Sequence, residues 1–233
     1  MAEKRSTTAR PHVDAGISAT MSKYLEAIFY IAGEGEPVRA ARLANWLSVA
    51  QPTAGMMLHR MAADGLVKVA PSKQITLTAT GEREAARIVR RHRIAERWLT
   101  DYVGLDWLGA DEEASRLEHA FSDDVADRLH VLIGHPPTCP HGNPIPGVKA
   151  ARRRERALAT LLPGEVARVQ RISEVAEHEV PDLLRFLGDH GFSLNGEVKG
   201  LEVNRGGGTI TVEVAGKPVS LSLEVAGKVW LGV

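Results

Sequence analysis

The sequence predicts a mainly α-helical protein with a small β component: an N-terminal winged helix-turn-helix, a helical dimerisation region and a small C-terminal β-barrel. Three observations predict it. Three helical patterns followed by a strand-turn-strand fill the first part of the chain. Further amphipathic helices come next, and from Gly164 onward short β-rich runs with glycine turns dominate. The divisions fall at residues 1–80, 81–150 and 151–233.

The first helix starts near Thr20, a candidate cap, and its apolar residues Leu25, Ile28, Phe29 and Ala32 recur at helical spacing. A second, short helix covers Arg39 to Leu47. Pro52 suits the first turn of a third, whose inward stripe is Ala54, Met57, Leu58 and Met61. Gly65 closes it, and Leu66 to Ala70 and Ile75 to Thr78 form the wing. A longer helix runs from a Thr80-Gly81 cap to about Tyr102, with Ala85, Ile88, Val89, Ala95 and Leu99 on one face. Helices at Asp111 to Phe121 and Asp123 to Ile133 offer apolar faces for a dimer interface. His135 to Gly147 lacks helical period and reads as a loop. Beyond it, one helical segment at Pro181 to Leu187 interrupts strands such as Thr209 to Val214 and Val219 to Val225, with Gly206 to Gly208 as a hairpin connection.

The bulk numbers exclude several classes. The 29 Lys and Arg balance 29 Asp and Glu, so overall charge does not announce a nucleic-acid partner. A single cysteine, Cys139, excludes an internal disulfide framework and fits a reducing cytosol. With no signal-like or membrane-length apolar run, the expected location is cytoplasmic and no membrane partner is expected.

Local charge is another matter. Between Arg39 and Ile75 the cationic residues Arg39, Arg42, Arg60, Lys68 and Lys73 face one acid, Asp64. On the third helix Thr53, Met56, His59 and Arg60 point away from the buried stripe, the face a DNA major groove would meet. Arg39, Arg42, Arg60 and Lys73 suit phosphates, and Thr53 and Met56 suit thymine methyls. The plainer alternative is a solvated basic face.

Polar residues also fall where a core belongs. His92 and Glu96 continue the inward stripe of the long helix one turn apart, and Glu118 lines up with Ala114, Leu117 and Phe121, beside His119. Buried carboxylates left unpaired cost several kcal/mol each, so either core ion pairs or a bound cation must satisfy them. Imidazole with carboxylate suits manganese(II), iron(II) or zinc(II). Cys139 and His141 are closely spaced without obvious co-ligands and read as loop structure. The arginines at 152, 153, 154 and 156 read as a solvated linker.

At these residues the chain resembles the diphtheria toxin repressor family of iron- and manganese-responsive regulators. The matching runs are Pro52-Thr53, Arg60-Met61, Asp64-Gly65-Leu66-Val67, Leu77-Thr78, Thr80-Gly81, His92-Arg93, Ala95-Glu96-Arg97, Leu99-Thr100-Asp101, Gly104-Leu105-Asp106, Glu118-His119 and Gly142-Asn143-Pro144-Ile145-Pro146-Gly147. The resemblance implies an SH3-like, FeoA-like barrel at the C-terminus, a homodimer on double-stranded operator DNA, and two metal sites. One would use Glu118 and His119, with Glu26 and His92 added as in the manganese-specific branch. The family's remaining ligand positions there hold Lys23 and Ser115. The other would use His92, Glu96 and Asp111 with Glu174 and Glu177 of the barrel.

The implied function is metal-dependent repression of metal-uptake genes, with Mn2+ or Fe2+ as cofactor, Zn2+ as an alternative, and no organic substrate. Two other readings stay open on the residues alone: a winged-helix regulator of an organic ligand, and a metalloenzyme. The latter lacks an H-E-x-x-H pair or an evident nucleophile.

Overall fold

The computed structural model describes residues 17–149, 154–180 and 182–232. The polar stretch before residue 17, Arg152, Arg153 and Pro181 lie outside the described residues.

Helix α1 (Ala19–Gly33) is capped by Ser18, whose Oγ accepts from the Met21 amide at 3.2 Å; the expected cap, Thr20, lies inside the helix. It buries Met21, Tyr24, Leu25, Ile28 and Ile31. Helix α2 (Ala40–Trp46) and α3 (Gln51–Ala63, proline in its first turn) follow, and Gly65 at φ +70° ends the motif. Strands β1 (Val67–Val69) and β2 (Ile75–Leu77) pair antiparallel as the wing. Leu43, Ala54, Leu58, Met61, Ile75 and Ile88 complete this core, which also takes in Val175 from the far C-terminal unit.

Helix α4 (Ala79–Trp98) starts one residue before the expected Thr80-Gly81 cap. Thr78 accepts from the Gly81 amide at 3.0 Å, while its hydroxyl donates to the Gly65 carbonyl at 2.6 Å, tying α4 to the end of α3. A π-helical turn, Leu99–Val103, ends at Gly104 with φ +83°. Helix α5 (Trp107–Leu117) begins before the expected Asp111, because Asp106 caps it through the Gly109 amide at 2.7 Å. Helix α6 (Asp123–Leu132) is capped by Ser122.

The following loop is packed rather than free. The Ile172 amide donates to the His141 carbonyl at 2.8 Å, and Asn143 Nδ2 donates to the Ile172 carbonyl at 2.9 Å, so the loop lies along the C-terminal sheet. Gly142 sits at φ +90°, and a Cβ there would stand 2.1 Å from the Gln170 carbonyl oxygen. Only glycine allows that approach.

The C-terminal unit holds β3 (Glu155–Ala157), β4 (Val166–Ile172), β5 (Glu197–Asn204), β6 (Thr209–Val214), β7 (Lys217–Ser222) and β8 (Val229–Gly232). They form an antiparallel sheet in the order β3-β8-β4-β5-β6-β7. Among the described residues β3 and β7 remain edges, so the strand-rich fold predicted as a barrel is an incompletely closed sheet. Two helices of one to two turns follow β4: α7 (Glu174–Glu179) and α8 (Leu183–Asp189). The first was not predicted. The expected strand through Val225 ends at Ser222, whose Oγ caps the short α9 (Leu223–Ala226).

Candidate metal centre and DNA-reading face

Three units meet at a cleft of about 890 Å³, lined by Lys23, Glu26, His92, Asp111, Glu118 and Glu177 among others. They come from four elements. Glu26 projects from α1. His92 and Glu96 stand one turn apart on α4, Asp111 and Glu118 belong to α5 and its cap, and Glu177 comes from α7.

On the outer side, Glu26, His92 and Glu118 offer ligand atoms that all lie within 4.8 Å of one another. His92 Nδ1 is 2.9 Å from Glu118 Oε2. Burial, reinforced by the Glu118 charge, pushes Glu26 up to about 8, although the Tyr30 hydroxyl donates to Glu26 at 3.0 Å. The other face of His92 looks inward, with Nε2 3.4 Å from Asp111 and 3.7 Å from Glu96. Burial opposes charging His92, yet Glu96, Asp111 and Glu118 overcome it and hold the imidazole well above its ordinary range.

Deeper in, Glu96 belongs to a second cluster with Cys139 and His141. This corrects the expectation that Cys139 and His141 are only loop structure: both are fully buried. His141 Nδ1 lies 3.1 Å from Glu96 and 3.7 Å from Glu177, and the ring edge packs on Trp107 at 5.4 Å. Neither ring nitrogen makes an aligned hydrogen bond among the described residues, and Glu177 Oε1 is likewise buried without one. Ligand atoms of Glu96, Cys139 and His141 all lie within 4.8 Å of one another, and buried donors with valence to spare are a set that a divalent cation would fit. Burial raises both Glu177 and the Cys139 thiol, with the His141 charge opposing each.

Two expected ligands belong to neither cluster, although Glu174 lines the same cleft. The Glu174 carboxylate is gripped by Arg93 at 2.8 and 2.7 Å, side chains 11% and 7% exposed, so its charge is already matched. His119 is close to Glu118, Nε2 to Oε1 3.3 Å, but belongs to neither cluster. Lys23 and Ser115 are exposed on the cleft rim.

In the N-terminal unit Thr53, Met56, His59 and Arg60 are all exposed along α3, and Arg39 and Lys73 are exposed as well. Met56 is 69% exposed. Arg42 departs from the expected phosphate contact. Its guanidinium pairs with Glu36 and, at 3.0 Å, with Glu179.

A winged helix-turn-helix carrying an exposed recognition face, joined to a buried cluster of imidazole, carboxylate and thiol, defines a metal-dependent DNA-binding regulator. Residues 16–75 match the family described as "Iron dependent repressor, N-terminal DNA binding domain", and residues 78–147 match "Iron dependent repressor, metal binding and dimerisation domain". Residues 156–232 match the FeoA domain. The chain is 35% identical to the iron-dependent repressor IdeR of Mycobacterium tuberculosis over 217 residues, covering 89% of this chain and 94% of that one. It is 36% identical to the diphtheria toxin repressor of Corynebacterium diphtheriae over the same length and shares. Among solved structures, a manganese-dependent transcriptional repressor in complex with manganese matches with a TM-score of 0.80 at 32% identity, covering 92% of this chain and 99% of that one. The chain belongs to the iron-dependent repressor family, and is a transcriptional repressor rather than an enzyme.

Proposed function

We propose that this chain represses metal-uptake genes by binding operator DNA as a homodimer when manganese(II) or iron(II) is bound. Its units would be residues 1–80 for DNA, 81–150 for dimerisation and metal, and 151–233 as linker and FeoA-like domain. The single observation carrying the reading is His141, fully buried beside Glu96 and Cys139 with both ring nitrogens lacking an aligned hydrogen bond.

Two centres are assigned. The outer set, Glu26, His92 through Nδ1 and Glu118, with His119 adjacent, is all nitrogen and oxygen and suits manganese(II) or iron(II). The inner set, Glu96, Cys139, His141 and Glu177, includes a thiol and leans toward iron(II) or zinc(II). Asp111 stands between them. A divalent metal supplies charge that offsets the clustered carboxylates and cross-links elements of different units.

The chain's own part is positional. Trp107 and the loop backbone fix the His141 ring, Tyr30 orients Glu26, and Arg93 holds Glu174 so that α7 presents Glu177 to the cluster. Two recognition helices of a dimer must stand about 34 Å apart to enter successive major grooves, so small changes of unit angle decide binding. The ligand assignment is tested by manganese(II), iron(II) and zinc(II) calorimetry on the Glu96→Ala and Glu118→Ala variants. Each should abolish one binding event and leave the other; two intact events in either variant would refute its assignment.

A further inference from the structure

Helix α7 touches the metal cluster and the helix-turn-helix with adjacent residues. Glu177 Oε2 lies 3.7 Å from His141 Nδ1. The very next side chain, His178, lies parallel on the indole of Trp46, ring centres 4.0 Å apart and planes 6° apart, with Nε2 2.8 Å from the Trp46 carbonyl oxygen. Glu179 then accepts from Arg42 at 3.0 Å. On its other side Val175 is fully buried in the N-terminal core, with Met21, Leu25 and Ile28 among its members. Trp46 is the last residue of α2, the helix that packs on the recognition helix α3.

The sheet from which α7 emerges is pinned to the same unit. Arg171 of β4 pairs with Glu34 at 2.7 Å, side chains 16% and 10% exposed, and Lys228 pairs with Glu36 at 3.2 Å. Glu34 and Glu36 lie at and just past the C-terminal end of α1, and Glu36 also pairs with Arg42 of α2, but neither pair includes a candidate ligand; among the described residues α7 carries contacts to both α2 and a candidate ligand. At about 1.5 Å rise per residue, six residues make a stiff piece about 9 Å long, too short to absorb a shift at one end. A parallel ring stack with a backbone hydrogen bond also fixes orientation as well as distance.

We propose that α7 is the strut that carries metal occupancy to the helix-turn-helix, and that Trp46 and His178 are its positioning residues. This rests on the reading of Glu177 as a ligand. His178 is not a ligand here, since its Nε2 is committed to the Trp46 carbonyl. Pulling Glu177 toward the cluster draws His178 and Glu179 with it, and α2 follows through the stack and the Arg42 pair. The arrangement also explains why Arg42 is turned from the DNA face: it serves the inter-unit contact.

The test is a double-mutant cycle on the full chain with Trp46→Ala, His178→Ala and their combination. The duplex is one selected from a random pool for binding the zinc-loaded wild type, zinc(II) being an ion of the inner set that contains Glu177. Two quantities are read: the gain in DNA affinity on adding zinc(II), and the gain in zinc(II) affinity on adding the duplex. Each single variant should cut both gains equally, by at least about fivefold, because coupling between two binding events is reciprocal. Zinc(II) affinity without DNA should be unchanged. The double variant should be no weaker than the weaker single variant, since both remove one shared contact. His178→Phe, which keeps a ring on Trp46, should retain most of the gain, and it carries the test if an alanine variant fails to fold.

Unchanged gains in the single variants would overturn the strut, as would strictly additive losses, a defect confined to zinc(II) affinity without DNA, or a wild type that gains with manganese(II) or iron(II) but not with zinc(II). A wild type showing no gain with any of the three ions would instead refute the repressor reading itself, and the strut with it.

Discussion

Glu26 carries the clearest consequence at the scale of single residues. Raised to about 8 by burial and by Glu118, it holds a proton at neutral pH that a metal must displace. The folded carboxyl is raised above its ordinary value, so the protonated form is favoured below about pH 8 and lost as pH rises through it. Manganese(II) affinity should therefore climb with pH up to about 8 and then flatten. Calorimetry in buffers of different ionisation heat should show protons released on binding at pH 7. A pH-independent affinity with no proton release would remove Glu26 from the site. Cys139 makes a different prediction, about which ion is preferred. Cys139→Ser should weaken zinc(II) binding by at least about tenfold while leaving manganese(II) at the outer set unchanged, because thiolate selects the softer ion. Equal losses for both ions would show that the thiol is not a discriminating ligand.

At the scale of elements, the loop from His135 to Gly147 matters most, because it brings His141 into the core. Gly142 lets it do so by pressing its backbone against β4, with φ +90° and no room for a Cβ. Gly142→Ala should cost about 1–3 kcal/mol of stability and lower the inner-site affinity together, measured by thermal melting and zinc(II) titration. A variant as stable and as tightly binding as wild type would contradict that packing.

The same loop marks the limit of what the sequence makes legible. His92, Glu96 and Glu118 are readable because helical period places them inward before any tertiary contact is known, and the wing and recognition face follow from turn glycines and alternation. His141 is not readable in that way. A loop has no period, and its burial depends on a strand some thirty residues later. Helix α7 was hidden for a related reason: six residues give too little period to distinguish it from the surrounding strands. The C-terminal sheet was legible as strands and hairpins, whereas its closure depends on edge pairing that no local pattern records. Arg42 and Glu174, read from the sequence as a phosphate contact and a metal ligand, each pair with an opposite charge from a distant element, which no local pattern records.

At the scale of the whole molecule, the dimerisation unit leaves apolar side chains in water. Tyr102 and Val103 after α4, and Val131 and Leu132 at the end of α6, are 58%, 51%, 60% and 61% exposed, and the Tyr102 hydroxyl donates to the Leu132 carbonyl at 3.1 Å. The two ends thus form one patch, of the kind a second copy covers. Val131→Glu with Leu132→Glu should convert the protein to monomers in sedimentation and abolish DNA binding while manganese(II) binding persists, because neither residue belongs to a candidate metal cluster. A dimer that survives both charges would place the interface elsewhere.

On this reading, metal decides whether the protein binds DNA. The most direct measurement adds manganese(II), iron(II) or zinc(II) to metal-stripped protein and follows binding to promoter DNA of metal-transport genes by fluorescence anisotropy. Binding should appear with metal, vanish with chelator and be lost in the Glu96→Ala, Glu118→Ala double variant. Equal binding with and without chelator would contradict it.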